Sequence, residues 1–552
     1  MYWTLLLVPL ALLIYIFFRP ANKDTLPDGP RDPIPQKDLR QKLHIHLAEC
    51  AKTYGDFFSY NMGRSRVVVL CSVQAIEELL VKRGQVWSSR PTSSSQADII
   101  TEGARIVNMP YGDDFRKHRK LIHSLLGMQN AKTFLPYQEY ESRQTLLNLL
   151  NAPELFFQEM SRYSASITFS LLVGARFNRA DAFLPNQIGQ MMEKFFNNIR
   201  PGAWLVDSYP FLDYLPGPLA PWRTAARAIF TEIQEFWSIF LNAIDKRIKE
   251  GTAPDCFLSR FLQNPEVVNF NQVERVTITA ELLTAGTETT STTLQWFFKA
   301  ILTNPEWVIE AQEEIDAVVG RSRLPDFSDR VNLPYLNAVI SELHRWASAA
   351  ALAFFHATSE EDTYRTWKIP RRTTVIPNTY AIHHSEEYFP NPSAFLPGRW
   401  LPANDSRHIH DGARTPNHLA FSAGRRECPG RHVADASLFI AISRILWAFD
   451  ISTGGHPPPA DEYGRCSLGL SDLDLAVQMS ANSHAVMCIG GSLPVLGPAQ
   501  FKCRIMPRSS DPETAQKIRE FAAKIDQGLI VEDGTVYDEA VKKVLAKRHR
   551  KS

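Results

Sequence analysis

The sequence predicts a mainly α-helical protein with a small β portion, an α+β fold, preceded by one N-terminal transmembrane helix. Three observations support this prediction. Tyr2 to Phe18 is apolar apart from Thr4. Val67 to Cys71 is a β-branched, apolar run that is typical of a buried strand. After this run, long patterns with helical periodicity dominate the chain, with no repeat and no low-complexity tract.

The N-terminal apolar run has the length of a membrane anchor. At 1.5 Å per residue it spans roughly 26 Å, close to the ~27 Å of the endoplasmic reticulum membrane. A cleaved signal peptide is the alternative, but no Lys or Arg precedes the run and no small-x-small site follows it. Positive charges follow the run at Arg19, Lys23, Arg31, Lys37 and Arg40. We therefore expect an uncleaved single-pass anchor in the endoplasmic reticulum membrane, with the rest of the protein in the cytosol.

Composition excludes several other classes of protein. Hydrophobic residues make up 44% of the 552 residues and charged residues 22%, which is ordinary for a globular protein. The formal net charge of +1 gives no indication of a nucleic-acid partner. Seven cysteines without CxxC pairs argue against a disulfide scaffold or a zinc site, and they fit a reducing compartment.

One loop contains a cysteine in a setting that favours chemistry over packing. In Phe421-Ser-Ala-Gly-Arg-Arg-Glu-Cys-Pro-Gly430, the glycines at 424 and 430 let a flat ligand approach the main chain of Cys428. Arg426 is expected to place a positive charge beside the sulfur and so to favour thiolate, the form that binds metals. The pattern Phe-x-x-Gly-x-Arg-x-Cys-x-Gly arises by chance in a chain of this length with a probability of roughly 10⁻⁴.

The apolar helix predicted over Glu274 to Leu302 has an unusual centre. It contains Ala285-Gly-Thr-Glu-Thr-Thr290, in which Gly286 costs a helix interior about 1 kcal/mol relative to Ala and the threonines add no helix propensity. This composition predicts a local opening of the helix. The alternative is a threonine-rich helix whose hydroxyls bond its own carbonyls.

Two further helices carry charged motifs with ordinary alternatives. Glu342 and Arg345 lie one turn apart, where a surface ion pair is the simplest interpretation. Phe115 and Arg119 lie on a basic helix that could be only a solvated surface.

Taken in order, these motifs resemble the cytochrome P450 family over roughly residues 26 to 508. The resemblance implies the cytochrome P450 fold and a haem b cofactor whose iron is bound by the thiolate of Cys428. It also implies that Glu288 and Thr289 relay protons to iron-bound dioxygen, and that Glu342, Arg345 and Arg399 form a structural triad under the haem loop. The cofactor-binding residues implied are Cys428, Arg426, Arg119, His356, Phe421, Gly424 and Gly430.

The chain departs from the family pattern at three places. Phe115 replaces a tryptophan, which removes an indole N–H donor. Gly398 stands where the family usually has an acid before Arg399. The segment from Ala347 to Phe355 lacks the usual prolines, so it is expected to be less rigid, or the preceding helix longer.

The sequence from Tyr380 to Pro392 and the sequence after Cys428 are similar to those of fungal family members that oxidise secondary metabolites, such as O-methylsterigmatocystin oxidoreductase-like enzymes. We expect a monooxygenase that inserts one oxygen atom of O2 into a small apolar molecule. Because no GxGxxG flavin or nicotinamide domain is present, electrons should come from an NADPH-cytochrome P450 reductase. The alternatives are a haem-thiolate isomerase or dehydratase and a non-catalytic haem-binding membrane protein.

The resemblance also sets the predicted domain boundaries. These are an anchor over 1–19, a proline-rich linker over 20–35, a haem-thiolate catalytic domain over 36–508 and a charged C-terminal extension over 509–552. Residues 473–500 are expected to be irregular. Asn404 begins a glycosylation sequence that a cytosolic domain would leave unused.

Overall fold

Helices form most of the protein, and strands form a small part of it, as predicted. The computed structural model describes residues 26–30, 43–62, 65–91, 95–179, 182–199, 204, 206, 210–409, 417–456, 495–508, 512–523 and 532–549. The helices are α1 (Leu43–Tyr54), α2 (Val73–Ala75), α3 (Gly84–Trp87), α4 (Ser95–Thr101), α5 (Asp113–Leu126), α6 (Met128–Ala131), α7 (Leu135–Asn151), α8 (Phe156–Val173), α9 (Phe183–Ile199), α10 (Pro221–Lys249), α11 (Phe257–Gln263), α12 (Gln272–Thr303), α13 (Glu306–Val318), α14 (Pro334–Trp346), α15 (Thr379–His383), α16 (Arg431–Ala448), α17 (Pro512–Ala523) and α18 (Asp538–His549). A π-helical segment, Ile76–Lys82, continues α2.

The strands of the described residues are short: four form one sheet, and the other six pair in twos. They are β1 (Phe57–Met62), β2 (Ser65–Leu70), β3 (Ala175–Arg176), β4 (His356–Ala357), β5 (Asp362–Tyr364), β6 (Trp367–Ile369), β7 (Thr374–Pro377), β8 (Phe449–Ser452), β9 (Arg504–Pro507) and β10 (Glu532–Asp533). The four-stranded sheet has the order β1-β2-β7-β4. The strand predicted from Val67 is β2, whose residues Val67 to Leu70 are buried between β1 and β7.

Helix α12 runs through the centre of the protein. Its first turn is closed by a capping box, in which Asn271 accepts from the amide of Glu274 and Glu274 accepts from the amide of Asn271. From Thr290 onward α12 is almost entirely buried, whereas Thr284 to Thr289 are partly exposed. The helix therefore emerges from the core at its midpoint, beside the predicted proton-relay residues.

The N-terminal anchor and residues 473–494 lie outside the described residues. In the described part of the chain, no helix combines the length and the apolar character needed to cross a membrane. Part of the linker is described, and it lies along β1, where the Ser59 hydroxyl donates to the Pro27 carbonyl at 2.6 Å.

The C-terminal extension packs onto the body of the protein. Ile518 of α17 is fully buried, and Phe521 of the same helix lies 5.9 Å from the Trp447 ring, centroid to centroid. Strand β10 pairs in parallel with β3. Beyond it, Tyr537 and Val541 of the last helical segments are buried against α8, α9 and α10.

Candidate active site

The loop around Cys428 has a fixed backbone. The Cys428 amide donates to the Phe421 carbonyl at 3.0 Å, and the Glu427 amide donates to the Gly424 carbonyl at 3.1 Å. Gly424 has φ +68°, in the left-handed region, and a methyl group there would overlap the main chain of Leu80. The loop is therefore pressed against the π-helical segment Ile76–Lys82, and helix α16 begins three residues after the cysteine.

The surroundings of Cys428 act on its pKa in opposite directions. Burial raises the pKa of the thiol, while the backbone N–H of Gly430 and the charges of Arg119 and Arg431 lower it. Burial is the largest cause, so the thiol alone titrates above its ordinary range. A thiolate here needs further stabilisation, such as that of a bound metal ion.

Arg426 has contacts that the sequence did not predict. Its guanidinium turns toward backbone carbonyls, with donor–acceptor distances of 2.8 Å to Ser88, 3.1 Å to Ile106 and 2.6 Å to Met109. The positive charges that lower the pKa of Cys428 are those of Arg119 and Arg431. The predicted effect of the Arg426 charge on the sulfur therefore stays a prediction, whereas its role in holding non-local carbonyls is shown.

Arg119 and Phe115 occupy the helix predicted to contact a haem carboxylate. The Arg119 guanidinium makes no hydrogen bond or ion pair within the described residues, and burial lowers its pKa. Phe115 is buried, and its ring centroid lies 3.6 Å from the central carbon of the Arg426 guanidinium. The aromatic ring at this position therefore packs against an arginine of the cysteine loop.

His356 belongs with Arg119 and Arg426 to a cluster of basic residues. One of its nitrogens has no hydrogen-bond partner among the described residues. Nδ1 is 3.0 Å from the Trp87 carbonyl, whereas Nε2 is buried with no hydrogen-bond partner among the described residues. Burial and the charges of Arg90 and Arg426 hold the pKa of His356 well below its ordinary value. Because Nδ1 faces a carbonyl, the neutral ring carries its proton there, and Nε2 is a buried acceptor without a donor. An anion beside Nε2 would favour a proton on it, so this group fits an acceptor supplied by a ligand.

Arg90 belongs to this cluster, although sequence reasoning missed it. It donates to the carbonyls of Val107, Phe354 and Phe355 at 2.8, 3.0 and 2.6 Å. Burial lowers its pKa to about 9, and burial together with Arg90 and Arg119 lowers the pKa of Arg426 to about 8. Buried guanidiniums of this kind favour an anion, and the carboxylates of a haem supply one.

Helix α12 is continuous, which contradicts the predicted opening. The Thr289 hydroxyl donates to the Ala285 carbonyl at 2.9 Å, one turn back in the same helix. Ser164 of α8 donates to the carbonyls of Gly286 and Thr287 at 3.0 and 2.6 Å. A methyl group at Gly286 would lie 2.8 Å from the Thr168 side chain, so the glycine permits this close packing. Glu288 is partly buried on the turn next to Thr289.

The structure brings Glu342, Arg345 and Arg399 together in the core. Arg345 pairs with both oxygens of Glu342 at 2.9 and 2.7 Å, and Arg399 Nε lies 3.4 Å from Glu342 Oε1. The same carboxylate accepts from the Leu396 amide at 2.9 Å and the Trp400 indole at 2.8 Å. The surface-pair alternative is excluded, because all three charged side chains are buried.

Two departures from the family pattern have local explanations. At Gly398 a methyl group would overlap the Arg407 carbonyl, since residues 407–409 fold back over this position and the Ile409 amide donates to the Gly398 carbonyl at 3.2 Å. Helix α14 ends at Trp346, so the missing prolines do not lengthen it. Hydrogen bonds fix the alanine segment instead, with Thr379 Oγ1 donating to the Ala351 carbonyl at 2.8 Å.

Comparison with known proteins shows the family to which this chain belongs. Residues 33–475 match the family model described as cytochrome P450. The chain belongs to the cytochrome P450 family. A cytochrome P450 monooxygenase, polD of Polytolypa hystricis, is 35% identical over 81% of this chain and 88% of its own length. Another, virE of Hypocrea virens, is 36% identical over 81% and 83%, and fogE of Aspergillus ruber is 33% identical over 91% and 90%.

The fold of this cytochrome P450 agrees with a solved structure. A zebrafish cytochrome P450 bound to abiraterone is 22% identical, with a TM-score of 0.62 over 84% of this chain and 100% of that one. The protein is a cytochrome P450 monooxygenase similar to fungal members of the family. Family membership implies a haem whose iron is bound by a cysteine thiolate.

Proposed function

We propose that this cytochrome P450 holds haem b through the Cys428 thiolate and oxidises a small apolar intermediate of fungal secondary metabolism. One observation carries the proposal. Cys428 shares its surroundings with three basic groups whose charges or buried nitrogens lack an anionic hydrogen-bond partner among the described residues, namely Arg119, Arg426 and His356. A haem site of this family requires a thiolate ligand for the iron and basic groups for the haem carboxylates. The surroundings of Cys428 offer both.

Within this proposal, each site residue has a defined task. Arg119 and His356 bind the haem carboxylates, whose charge would favour a proton on His356 Nε2 and so make it a donor. Arg426 stabilises the carboxylates by its charge while its N–H groups hold the neighbouring chain. Gly424, Gly430 and Phe421 shape the loop, with the Phe421 ring 4.9 Å from that of His344. When bound, the haem supplies the oxidising chemistry, and the protein supplies orientation and exclusion of competing reactions.

The proton relay rests on Thr289 and Glu288. The Thr289 hydroxyl donates to Ala285, so it holds its proton toward the helix at rest and can accept another through its free lone pairs. Oxygen activation consumes protons, and a hydroxyl backed by a carboxyl group can carry them from solvent. Glu288 has interactions of its own and is the ionisable member of this pair.

The proposed substrate is apolar because apolar side chains are exposed on α12 and in the segment without prolines. Ala285 is exposed on α12, and Leu282 is partly exposed one turn earlier. Phe354, in the segment without prolines, exposes 36% of its surface and lies beside Arg90. Small and aromatic side chains favour a hydrophobic ligand over a charged one.

The proposed redox partner is a membrane-bound NADPH-cytochrome P450 reductase. Exposed basic side chains lie on the cysteine loop, at the start of α16 and on α5, namely Arg425, Arg431, Arg116 and Lys120. The last three also pair with neighbouring acids. Such a surface attracts an acidic partner. The proposal includes a single-pass anchor over residues 1–19 in the endoplasmic reticulum membrane, with the catalytic domain in the cytosol. Fractionation of a tagged full chain tests the anchor, and carbonate-extractable protein would contradict it.

The haem assignment is tested with two cysteine variants. Cys428→Ala should abolish the red-shifted Soret band of the reduced, CO-bound protein. Cys256→Ala, at a buried cysteine outside this loop, should keep it. Equal spectra for the two variants would refute Cys428 as the iron ligand, and pyridine haemochrome analysis of the wild-type protein identifies the haem as b or another type.

The proton relay is tested with two threonines of the same helix. Thr289→Val should lower product formation by roughly 10²-fold while NADPH consumption continues. Thr293→Val removes the hydroxyl one turn later, which donates to the Thr289 carbonyl at 2.9 Å. This variant should leave the ratio of product formed to NADPH consumed unchanged. Metabolite profiles of a host with and without the gene supply the substrate for the assay.

A further inference from the structure

Glu281 is a buried carboxylate on α12, one turn before Ala285, that holds a separate segment of the chain. Its two oxygens accept from the amides of Ile106 and Val107, each at 2.9 Å. Arg105 Nε lies 3.9 Å from the same carboxylate, and both side chains are about nine-tenths buried, at 10% exposed. This anion therefore fixes residues 105–107 against the central helix.

The carbonyls of the same two residues bind the arginines of the cysteine loop and its neighbourhood. Arg426 donates to the Ile106 carbonyl at 3.1 Å, and Arg90 donates to the Val107 carbonyl at 2.8 Å. The peptide group between Ile106 and Val107 thus donates to Glu281 with its N–H and accepts from Arg426 with its C=O. Hydrogen bonds arranged in series polarise and strengthen one another.

Glu281 is also the countercharge of this cluster: burial raises the pKa of Glu281, and the charges of Arg105 and Arg426 and the two amides lower it. Burial lowers the pKa of Arg90, Arg105 and Arg426, and in each case the charge of Glu281 opposes that effect. Within the described residues, the hydrogen bonds of the Arg90 and Arg426 guanidiniums go to carbonyls and none goes to a carboxylate. Removing one charge of a buried set leaves the others uncompensated.

We propose that Glu281 is a positioning residue that fixes Arg426, and with it the cysteine loop, through the peptide group between Ile106 and Val107. The inference rests on the proposed role of Arg426 beside the haem. Helix α12 would then position two parts of the site, the turn that contains Thr289 and the loop that contains Cys428. Thr289 acts from its exposed turn, and Glu281 acts through residues 105–109 on the loop that contains Cys428.

The chain contains a matched control for this test. Glu314 on α13 is also buried, accepts from the amides of Tyr335 and Leu336 at 3.0 Å each, and pairs with Arg407 at 3.0 Å. Its chemistry is the same, but its partners belong to the start of α14. Glu281→Gln and Glu314→Gln should therefore lower the urea midpoint of unfolding by similar amounts while differing at the haem.

The decisive measurement is the rate of haem transfer from the full-length holoprotein to excess apomyoglobin. Glu281→Gln should release haem roughly tenfold faster than wild type, as the loss of a supporting partner at a metal site typically does. Its reduced, CO-bound Soret band should shift toward that of a haem without thiolate. Glu314→Gln should match the wild-type rate and band. Equal rates for Glu281→Gln and wild type would overturn the inference.

Two further measurements separate positioning from simple loss of stability. Hydrogen exchange of the Ile106 and Val107 amides should accelerate in Glu281→Gln and not in Glu314→Gln. In an Arg426→Lys background, Glu281→Gln should add little further haem loss, because both changes break one chain of contacts. Fully additive effects would contradict the inference. If wild type itself shows no thiolate Soret band, the proposed function fails, and the exchange data still decide whether Glu281 holds residues 105–107.

Discussion

Gly424→Ala is the substitution that most directly tests how the cysteine loop is built. Gly424 lies four residues before Cys428 and has φ +68°. An ideal Cβ at this position would overlap the carbonyl oxygen of Leu80 and would lie 2.9 Å from its carbonyl carbon. Both neighbouring atoms belong to main chain, which cannot rotate away as the end of a flexible side chain can. We therefore expect the loop and the π-helical segment Ile76–Lys82 to move apart.

The expected cost has two parts. An alanine in the left-handed region costs about 1–2 kcal/mol. Forcing an extra methyl group into a packed contact costs a further ~1–3 kcal/mol. The sum, about 2–5 kcal/mol, is a large share of the ~5–15 kcal/mol by which a typical domain is stable.

Gly251→Ala separates these two parts. Gly251 follows α10 with φ +70°, nearly the same as Gly424, but no atom lies within 4 Å of the position that a methyl group would take there. This variant should lose only the backbone contribution, about 1–2 kcal/mol. Urea unfolding followed by far-ultraviolet circular dichroism compares both variants with wild type. Equal losses of stability in the two variants would refute the reasoning, because the contact with Leu80 would then contribute nothing.

Three further predictions concern the core, pH and the C-terminal extension. Glu342→Gln should lower the free energy of unfolding by about 3–5 kcal/mol, because it leaves buried guanidiniums unpaired; a loss in urea unfolding below about 1 kcal/mol would contradict this. Burial lowers the pKa of His344 to about 4 and, with the charge of His344, that of His418 to about 3. The unfolded chain, with histidine pKa near ~6.5, therefore binds more protons than the folded protein below this pH. The free energy of unfolding should fall by up to ~1.4 kcal/mol per pH unit per histidine as pH drops from about 6.5 to about 4. A urea midpoint that stays constant over this pH range would contradict the prediction. Tyr537→Ala should cost about 3 kcal/mol in the same assay, since its ring is buried, and unchanged stability would show that the extension does not pack on the body.

Short-range motifs predicted the parts of the site that depend on neighbours in sequence. The pairing of Glu342 with Arg345 follows from one helical turn of spacing, and the need for glycine at 424 follows from the tight loop. Arg399 lies more than 50 residues later, so its place beside Glu342 came only from the resemblance. The structure explains why it fits there: the carboxylate accepts from Arg345 and from the Leu396 amide, and Arg399 Nε lies 3.4 Å from Oε1 as an ion pair.

Other features could not be predicted because their partners are backbone atoms from distant segments. Arg426 binds carbonyls of residues 88, 106 and 109, and a carbonyl is present at every position of any sequence. Glu281 and Arg90 gave no signal for the same reason. Arg90 stands in an ordinary Ser-Ser-Arg-Pro turn, and Glu281 stands in a helix where single acids are common.

The predicted opening of α12 shows where helix propensity was overruled. Gly286 and the threonines are poor helix formers, but Ser164 donates to the carbonyls of residues 286 and 287 from the neighbouring helix. Packing on both sides stabilises a helix more than intrinsic propensity does. The hydroxyls of Thr289 and Thr293 bond carbonyls one turn back, as in the alternative interpretation, whereas Thr287 Oγ1 has no partner among the described residues.

The pairing of β10 with β3 sets the order in which this protein can be completed during synthesis. Glu532–Asp533 pairs with Ala175–Arg176, more than 350 residues earlier in the chain. At ~5–20 residues per second, a ribosome needs on the order of 20–70 s to make the intervening chain. During that time the edge of β3 and the apolar surface that later receives Tyr537 have no partner from this segment. The newly made body therefore depends on a segment that is made much later, and a chain that stops before residue 532 leaves this surface uncovered.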